Sequence, residues 1–323
     1  MNYTIGSFNL LKLNGQDNKK NEEKCREIAR IIKSEKFDVV ALQEVFSDAE
    51  LKKSLIPALG AKKWDYRWAS PKSISLSSGE GYAFVWNKDK LRLIESENSP
   101  MIYNRYSVRE PNFFRINYRK IGKNALLRPP YAARFTPTGL PGGSNFEIRL
   151  INTHIIHSRP NKVESLVVNS DIKDYELRRE ELRILSQSIY RLFSTKRYGD
   201  NMPAYTILLG DYNLCLCGSG PKIAEEIDID SRRKLRTVQE GKTSLKRSDS
   251  DKPQLYEEAN PDLYSRNYDH FSYETGLSQK LKLEVSRVDA LSKYYKNDLE
   301  SYRDEVSDHV PIKLILNLKR RGN

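Results

Sequence analysis

The sequence predicts an α/β fold in which helices pack outside two facing β-sheets. Two patterns indicate this fold: apolar runs of strand length recur along the chain, and segments with apolar residues at helical spacing separate several of them. The chain has 323 residues, a length at which a sheet-based sandwich commonly folds as one unit. We therefore predict a single domain over residues 1–323.

Strands and helices alternate in the N-terminal part of the chain. The first strand ends at Asn9, and residues 22–36 carry isoleucines at helical spacing, which is typical of an amphipathic helix packed on a sheet. The next strand ends at Glu44, and a second helix is predicted over 48–59. Further strands are expected at 66–68, 81–86 and 91–94, and a strand pair with exposed basic residues is expected within 98–123.

The C-terminal part continues the same alternation. Residues 137–143 are rich in glycine and proline, which predicts a hairpin connection between two strands. A buried strand is expected at 205–209, and the charged segment 222–261 is predicted to be a surface excursion around a short strand at 243–245. Residues 172–193 are predicted to form a helix whose buried stripe is Tyr175, Leu182, Leu185, Ile189 and Leu192.

The charge balance favours a polyanionic partner. Lysine and arginine exceed aspartate and glutamate by 12, and the isoelectric point is near 9.4. A positive field of this kind attracts phosphates, although it is also compatible with ordinary solubility. The three cysteines form no obvious disulfide framework, and no leader or membrane-spanning run is visible. A cytoplasmic protein is the simplest expectation.

Polar side chains follow apolar strands at five separate places. Any one such residue is more often part of a capped turn than of a catalytic site, but five strand ends converging on one region would build a concave active site on a rigid sheet. The five positions are Asn9, Glu44, His154, the pair Asp211 and Asn213, and the pair Asp308 and His309.

These segments, in this order, resemble the endonuclease/exonuclease/phosphatase superfamily of metal-dependent phosphoesterases, from Ser7 to Ile312. Glu80-Gly81-Tyr82 resembles the family's Glu-x-Tyr strand, and Arg128-Pro129-Pro130-Tyr131 resembles the Arg-bearing strand of its deoxyribonuclease branch. Tyr268-Asp269 matches the strand that supplies the acidic partner of the last histidine. The resemblance implies a DNase-I-like four-layer α/β sandwich, with two facing mixed β-sheets flanked by helices.

Hydrolysis of a phosphodiester predicts a metal site among these residues. The charge of the ester repels nucleophiles, so a catalyst needs a hard cation and donors for the phosphoryl oxygens. Magnesium takes oxygen ligands and is commonly held by one or two carboxylates. Glu44 is the expected first ligand, with Asn9 beside it and Asp308 contributing from the last strand. Mg²⁺ is thus the expected cofactor, with Mn²⁺ as its substitute.

Proton transfer is expected from the other strand ends. Asp211 would orient or deprotonate the attacking water. Asn213, two residues on and therefore on the same side of an extended segment, would hold substrate phosphate or Asp211 itself. A simple Asp-Tyr-Asn turn is the alternative interpretation of these two residues. His309 would carry or donate the proton, with Asp269 fixing its tautomer and favouring its cationic form.

The deoxyribonuclease branch has a second acid–histidine pair, which the resemblance assigns here to Glu80 and His154. Arg128 is expected to contact the scissile phosphate through its fork of donors. Arg109, in Arg-Glu-Pro, is the competing candidate, but only the strand after Arg128 leads through a hairpin into the strand of His154. Two other histidines are expected to face away from these pairs: His157 and His270.

Some features depart from particular branches of the family. Phe8-Asn9-Leu10-Leu11 stands where abasic-site endonucleases have Trp-Asn-x-Asn-Gly, and Tyr268-Asp269-His270 stands where inositol polyphosphate phosphatases have Cys-Asp-Arg. Secreted deoxyribonucleases place a groove-binding tyrosine where this chain has Ser78. Further phosphate contacts, or merely a solvated basic face, are expected from Arg105, Arg109, Arg115, Arg119 and residues 159–162.

The sequence and the resemblance together predict a magnesium-dependent nuclease that hydrolyses DNA phosphodiesters endonucleolytically and with low sequence preference. The resemblance implies 5′-phosphate and 3′-hydroxyl products, and RNA is an alternative substrate. Two other hypotheses stay open: a phosphatase or phosphodiesterase of small polyanions or lipid headgroups, and a catalytically silent nucleic-acid-binding module. Nucleic acid, and not a membrane, is the expected partner, and a regulatory protein partner is a further hypothesis.

Overall fold

The structure is a computed structural model that describes most of the chain. The described residues are 2–14, 18–70, 80–94, 112–113, 128, 130–139, 146–157, 174–196, 203–216, 225–238, 241–246 and 263–317. They form two β-sheets with helices on the outer faces, so the predicted fold class is confirmed.

The first sheet has six strands in the order β13-β14-β1-β2-β4-β3. β1 and β2 pair in parallel and the other neighbours are antiparallel, so the sheet is mixed. Its strands are β1 (Asn2–Leu13), β2 (Val39–Val45), β3 (Trp64–Ala69), β4 (Gly81–Asn87), β13 (Lys282–Arg287) and β14 (Ile312–Asn317).

The second sheet has the order β10-β11-β12-β9-β8-β7-β5, and β6 also pairs with β7. The parallel pair here is β8 with β9, which lies near the middle of the sheet. Its strands are β5 (Leu91–Leu93), β6 (Asn112–Phe113), β7 (Tyr131–Pro137), β8 (Glu147–His154), β9 (Ala204–Asp211), β10 (Glu225–Asp228), β11 (Lys234–Val238) and β12 (Asp269–Glu274).

Three helical regions cover the outer faces of the sheets, two on the first sheet and one on the second. On the first sheet they are Asn18–Ser34, and then Asp48–Glu50 continued by the π-helical Leu51–Leu55 and by Ile56–Leu59. The corresponding helix of the second sheet is Asp174–Ile184, continued by the π-helical Leu185–Tyr190 and by Arg191–Thr195. Shorter helices are Thr275–Lys280, Ala290–Tyr295 and Leu299–Glu305.

The alternation of side chains along the central strands divides the core into three layers. Val39 and Ala41 of β2 face the second sheet, whereas Val40 and Leu42 pack with the helices outside the first sheet. A third cluster lies between the second sheet and the helical segment that begins at Asp174. Helix, sheet, sheet and helix thus stack as four layers, with both sheets covered on each face.

Most predicted elements are present, with two differences. Leu182, Leu185 and Ile189 of the predicted stripe are buried, but Tyr175 is 47 % exposed and Leu192 is only partly buried. The buried face of the helix is completed by Leu177 and Phe193. Within 222–261, where a surface excursion was expected, β10 and β11 extend the second sheet. Their burial is confined to alternate positions such as Leu235 and Thr237, which suits a charged edge.

Some expectations concern residues outside the described ranges. Of the strand pair expected within 98–123, only β6 belongs to the described part, and the connection at 140–143 lies outside it. The two strands joined by that connection, β7 and β8, do pair antiparallel. None of the described helices is both long enough and apolar enough to span a membrane.

Candidate active site

Three of the predicted site residues lie side by side at one edge of the second sheet. β8 and β9 run parallel with His154 opposite Asp211, and β12 begins antiparallel to β9 with Asp269 opposite Asp211. The ends of three adjacent strands therefore bring a histidine and two carboxylates into one row. A row of this kind is held by main-chain hydrogen bonds and needs no loop to position it.

Gly210 allows β9 to approach β8 closely enough to form this row. Its φ of +142° is rarely adopted by residues with a side chain, and a Cβ there would lie 1.8 Å from the carbonyl oxygen of Thr153. The glycine of Gly-Asp-Tyr-Asn thus has a steric reason, since any larger residue would push Asp211 away from His154.

Asp211 is the centre of the site and is 1 % exposed. Its Oδ2 accepts a hydrogen bond from Asn9 Nδ2 at 3.0 Å, and the Nε2 atoms of His154 and His309 lie 3.5 Å and 3.8 Å away. Its Oδ1 accepts from the main-chain N–H of Asn213 at 2.8 Å. One carboxylate oxygen therefore faces both imidazoles without a close hydrogen bond to either.

His309 forms a buried pair with Asp269, since its Nδ1 lies 2.7 Å from Asp269 Oδ2. Thr243 fixes this segment by accepting from the amides of Tyr268 and Asp269 at 3.1 Å each. Burial lowers the pKa of His309, but the carboxylates of Asp269 and Asp211 outweigh it and hold the pKa well above the ordinary value. The imidazole is therefore a cation at neutral pH.

His154 forms the second pair, with its Nδ1 2.5 Å from Glu80 Oε1. Its main-chain N–H donates to the hydroxyl of Tyr82 at 3.1 Å, so both polar residues of Glu80-Gly81-Tyr82 contact it. Burial and the charge of Arg128 lower the pKa of His154. The carboxylates of Glu80 and Asp211 outweigh both, so the pKa is raised from its ordinary value. Burial raises the pKa of Glu80, but His154 and Arg128 reverse this and lower it.

Arg128 reaches the same carboxylate, with its Nη2 2.7 Å from Glu80 Oε2. The side chain is 18 % exposed, yet its Nε and Nη1 atoms are buried and have no hydrogen-bond partner among the described residues. A guanidinium rarely leaves buried donors unused. Two donors are therefore free for a group that enters the site.

Asn9 links Glu44 to Asp211, and the segment that carries Asp308 is held against β1. Asn9 Nδ2 donates to Glu44 Oε1 at 3.2 Å as well as to Asp211, and Ser307 Oγ donates to the carbonyl of Asn9 at 2.7 Å. Ser307 thus joins the segment of Asp308 to β1. Glu44 has φ +57°, and both carboxylates are partly exposed. Carboxylates and an amide oxygen suit a hard divalent cation, so this set fits Mg²⁺ by its chemistry.

A second set could also hold a metal. Ligand atoms of Asp211, Asp269 and His309 all lie within 4.8 Å of one another. Because His309 Nδ1 already contacts Asp269, a metal at this set would have to replace the proton on His309 Nε2. Asp269 Oδ1, which has no hydrogen-bond partner among the described residues, would be a further ligand. The mixed nitrogen and oxygen donors suit transition metals better than Mg²⁺.

The expected geometry at Asn213 is wrong. An extended segment was expected to align its side chain with that of Asp211, but Asn213 has φ +48° and forms the Asp-Tyr-Asn turn. Its Nδ2 donates to the carbonyl of Ile155 at 2.8 Å. Asn213 therefore supports Asp211 through its main chain, while a contact with substrate phosphate stays a prediction.

Of the other residues named from the sequence, two histidines belong to the described part of the chain and the rest do not. His157 is exposed, and His270 is fully buried with its Nε2 2.8 Å from the carbonyl of Leu214, so neither joins the site. Residues outside the described ranges are Ser78, Arg105, Arg109, Arg115, Arg119 and 159–162.

Sequence reasoning missed three residues that support the site. Thr243 and Ser307 hold main-chain groups of the candidate-site segments, and the short polar side chains next to strand ends were a signal for such turns. Lys24 was not predicted to be buried, yet it is 7 % exposed. Its position directly before the core residue Cys25 gave no clear signal.

A sandwich of two mixed sheets with acid–histidine pairs at one edge defines the DNase-I-like class of α/β folds. The model of the Endonuclease/Exonuclease/phosphatase family matches residues 6–275, so the chain belongs to this family. Members of the family are phosphoesterases and are typically dependent on divalent metals, which supports a hydrolase. None of the curated proteins shows a significant match to the chain.

Solved structures of this class are similar over the whole chain. A D. rerio TDP2 humanized by 14 mutations is 15 % identical, with 98 % of this chain and 99 % of that chain covered and a TM-score of 0.51. D. rerio TDP2 complexed with a single-strand DNA product is 14 % identical, with 98 % of this chain and 99 % of that chain covered and a TM-score of 0.51. The endonuclease/exonuclease/phosphatase from Bacteroides vulgatus is 13 % identical, with 99 % of this chain and 100 % of that chain covered and a TM-score of 0.50. At these identities the likeness supports the fold alone.

Proposed function

We propose that this protein is a magnesium-dependent nuclease that hydrolyses DNA phosphodiesters. The observation that carries the proposal is the convergence on Asp211 of two buried histidines, next to an arginine with two buried donors that have no partner among the described residues. Such a site is prepared for an anion with several oxygens. Because the chain belongs to a family of phosphoesterases, a phosphodiester is the anion that we propose first.

Asp211 is proposed to orient and deprotonate the attacking water. Its Oδ1 is held by the amide of Asn213 and its Oδ2 by Asn9, so the carboxylate is fixed while Oδ2 still faces the cavity between the histidines. General-base assistance of this kind contributes about 10²–10⁴-fold to a rate.

His309 and His154 are proposed to stabilise the phosphoryl oxygens and to supply the proton for the leaving oxygen. Each imidazole has Nδ1 committed to a carboxylate, which leaves Nε2–H directed toward Asp211 and the space beside it. The carboxylate partners raise both pKa values, which favours the protonated form of each imidazole. The carboxylate partners thus fix both the tautomer and the charge.

Arg128 is proposed to bind a non-bridging oxygen of the scissile phosphate through Nε and Nη1. Neither donor has a partner among the described residues, so a bound anion would supply one and their contribution would belong to the complex. Asn9, Glu44 and Asp308 are the residues that would hold Mg²⁺. When bound, the ion would neutralise charge that develops on the phosphoryl group.

DNA is preferred as the substrate on two grounds. The net charge of +12 favours a polyanion over a small monoanionic ester. A structural neighbour with the same fold, D. rerio TDP2, has been solved with a single-strand DNA product, which supports a DNA strand as the proposed substrate. The chain is proposed to act endonucleolytically, with little sequence preference, and to leave 5′-phosphate and 3′-hydroxyl ends.

The test is cleavage of supercoiled plasmid, linear duplex, single-stranded DNA and RNA by the purified protein with Mg²⁺ and with EDTA. We expect Mg²⁺-dependent nicking of plasmid, and end-labelling should show phosphate at the 5′ side of each nick. Asp211→Asn should lower the rate by about 10²–10⁴-fold. Asp298→Asn, at the exposed N-cap of Leu299–Glu305, is a matched control that should retain the parent rate.

Each other outcome identifies a different error in the proposal. Preferential cleavage of RNA would change the substrate but keep the site. Hydrolysis of small phosphoesters without cleavage of nucleic acid would replace the nuclease with a phosphatase. Binding of DNA without cleavage in any metal would leave a silent binding module.

A further inference from the structure

Lys24 is a buried cation outside the set of residues assigned above. It lies on the helix Asn18–Ser34, is 7 % exposed, and is followed by the core residues Cys25 and Ile28. Lysine is rarely buried in this way, because loss of water disfavours its charge. An apolar residue would suit the position better, so the ammonium group calls for an explanation.

The ammonium group holds an unusual turn at the end of β1. Lys24 Nζ donates to the carbonyl of Leu11 at 2.8 Å. Leu11 and Lys12 have φ values of 45° and 58°, and the pairing of β1 with β2 is irregular between Asn9 and Leu13. Two consecutive left-handed residues without glycine are strained and persist only where the surroundings hold them.

The same turn contacts two of the candidate metal ligands through its amides. The N–H of Leu11 donates to Asn9 Oδ1 at 3.0 Å, and the N–H of Lys12 donates to Glu44 Oε2 at 3.2 Å. A continuous chain of hydrogen bonds therefore leads from Lys24 through the turn to an amide oxygen and a carboxylate oxygen. These are the oxygens that would face a cation or be oriented toward it.

We propose that Lys24 is a positioning residue for a divalent cation, acting through the Leu11–Lys12 turn on Asn9 and Glu44. The inference rests on the proposed function, because it takes Asn9 and Glu44 as metal ligands. Lys24 itself contacts neither the cation nor the substrate. It keeps the strained turn in the one conformation that aims both ligands at the same point.

A purely electrostatic role for Lys24 would have the opposite sign. Burial lowers the pKa of Lys24 to about 8, against the attraction of Asp308 and Glu44, so the group lies close to both carboxylates and is largely charged at neutral pH. A positive charge near these carboxylates repels a second cation. Removal of the charge alone would therefore tighten metal binding, whereas loss of the turn would weaken it.

The experiment is calorimetric titration of the full chain with Mn²⁺, without substrate, for the parent protein and three variants. Lys24→Met removes the donor but keeps an unbranched side chain, and should weaken Mn²⁺ binding about tenfold, as is typical for groups that orient metal ligands. Lys24→Arg keeps a donor and should stay within about threefold of the parent. Lys20→Met, one turn earlier and on the exposed face, should bind like the parent.

Thermal unfolding in EDTA separates positioning from general damage to the fold. A buried charge replaced by an apolar residue is often neutral or stabilising, so Lys24→Met should unfold no earlier than the parent. If Lys24→Met fails to fold, Lys24→Ala provides the same comparison. Unchanged or tighter binding by the folded variant, or equal weakening by Lys24→Arg, would overturn the inference while the parent site stands. Absence of Mn²⁺ binding by the parent would instead overturn the metal centre of the proposed function, and the inference with it.

Discussion

The two ends of β8 each carry a buried group of charges, and they differ in how completely those charges are paired. At the start of the strand, Glu147 lies between Arg134 and Arg149. At its end, His154 lies among Glu80, Asp211 and Arg128. The same strand thus offers a comparison of two charged clusters within one structural frame.

The cluster at Glu147 is closed, which means that its charged side chains are paired with one another or with main-chain groups. Glu147 accepts from Arg134 Nε at 3.0 Å and from Arg149 Nε at 2.8 Å, and Arg149 Nη1 donates to the carbonyls of Phe193 and Lys196. It ties β7 and β8 to the end of the outer helix. The cluster at His154 is open, since two donors of Arg128 have no described partner and Nε2 of His154 lies 3.5 Å from Asp211. Closure indicates a structural role, and unused buried donors indicate a ligand.

The largest expected effect on stability comes from opening the closed cluster. Glu147→Gln removes the charge that compensates two buried arginines, and breaking such a pair from one side typically costs about 3–5 kcal/mol. We expect a drop of this size in the free energy of unfolding by urea titration, with an unchanged rate per folded molecule at temperatures below the transition.

Glu226→Gln is the control for this change. Glu226 pairs with Lys234 across the exposed edge of β10 and β11, where an ion pair is worth about 0–1 kcal/mol. A similar loss of stability in both variants would mean that burial and closure do not distinguish the cluster at Glu147.

The open cluster was largely predictable from the sequence, and the closed one was not. Each strand is a short apolar run, so the polar residue that ends it is visible, and a sheet collects strand ends at one edge. This is how His154, Asp211 and Asp269 could be anticipated as neighbours. Arg134 and Glu147 are charged residues within strands, so the sequence alone suggests that they are exposed. Their burial depends on cross-strand neighbours and on a distant helix end.

The buried Lys24 depended on tertiary context in the same way, because it follows from the contact of its helix with the end of β1, which a local pattern does not encode. The turn at Asn213 is the Asp-Tyr-Asn turn that the local sequence offered as an alternative, and only its contact with Ile155 depends on a distant segment. The strand β11 could have been found, because Leu235 and Thr237 alternate with charged residues as in a half-buried strand. The high charge of the segment 222–261 concealed this period.

The second effect is loss of activity from the open cluster. Arg128→Met removes two donors that have no partner among the described residues, and loss of a preorganised donor to a developing charge typically costs about 10²–10³-fold. We expect kcat/KM for plasmid nicking to fall by this factor, with a smaller loss of unfolding free energy than in Arg134→Met, because the side chain of Arg128 is 18 % exposed and that of Arg134 is 5 % exposed.

Arg134→Met is the matched variant in the closed cluster. It should lower stability strongly and leave kcat/KM of the folded protein near the parent value. If the two arginine variants behaved alike in both measurements, the contrast between open and closed charge clusters would lose its functional meaning.

The smallest expected effect is a shift in pH dependence, and it tests whether the histidine cations matter. In His309, burial lowers the pKa while Asp269 is the largest influence that raises it. Asp269→Asn keeps an oxygen acceptor for Nδ1–H but removes the charge, so the pKa of His309 should fall. NMR titration of the imidazole should show this shift, and Glu80→Gln should move the signal of His154 much more than that of His309.

The sign of the accompanying stability change follows from linkage. Because the folded pKa of His309 lies above the unfolded value, its contribution to stability is fully present below about pH 6.5 and is lost as the pH rises through the folded pKa. Asp269→Asn should move this loss to lower pH. The alkaline limb of the pH–rate profile should move in the same direction if protonated His309 acts on the phosphoryl group. A limb that stays in place while the NMR titration shifts would assign proton donation to His154 and leave His309 a structural cation.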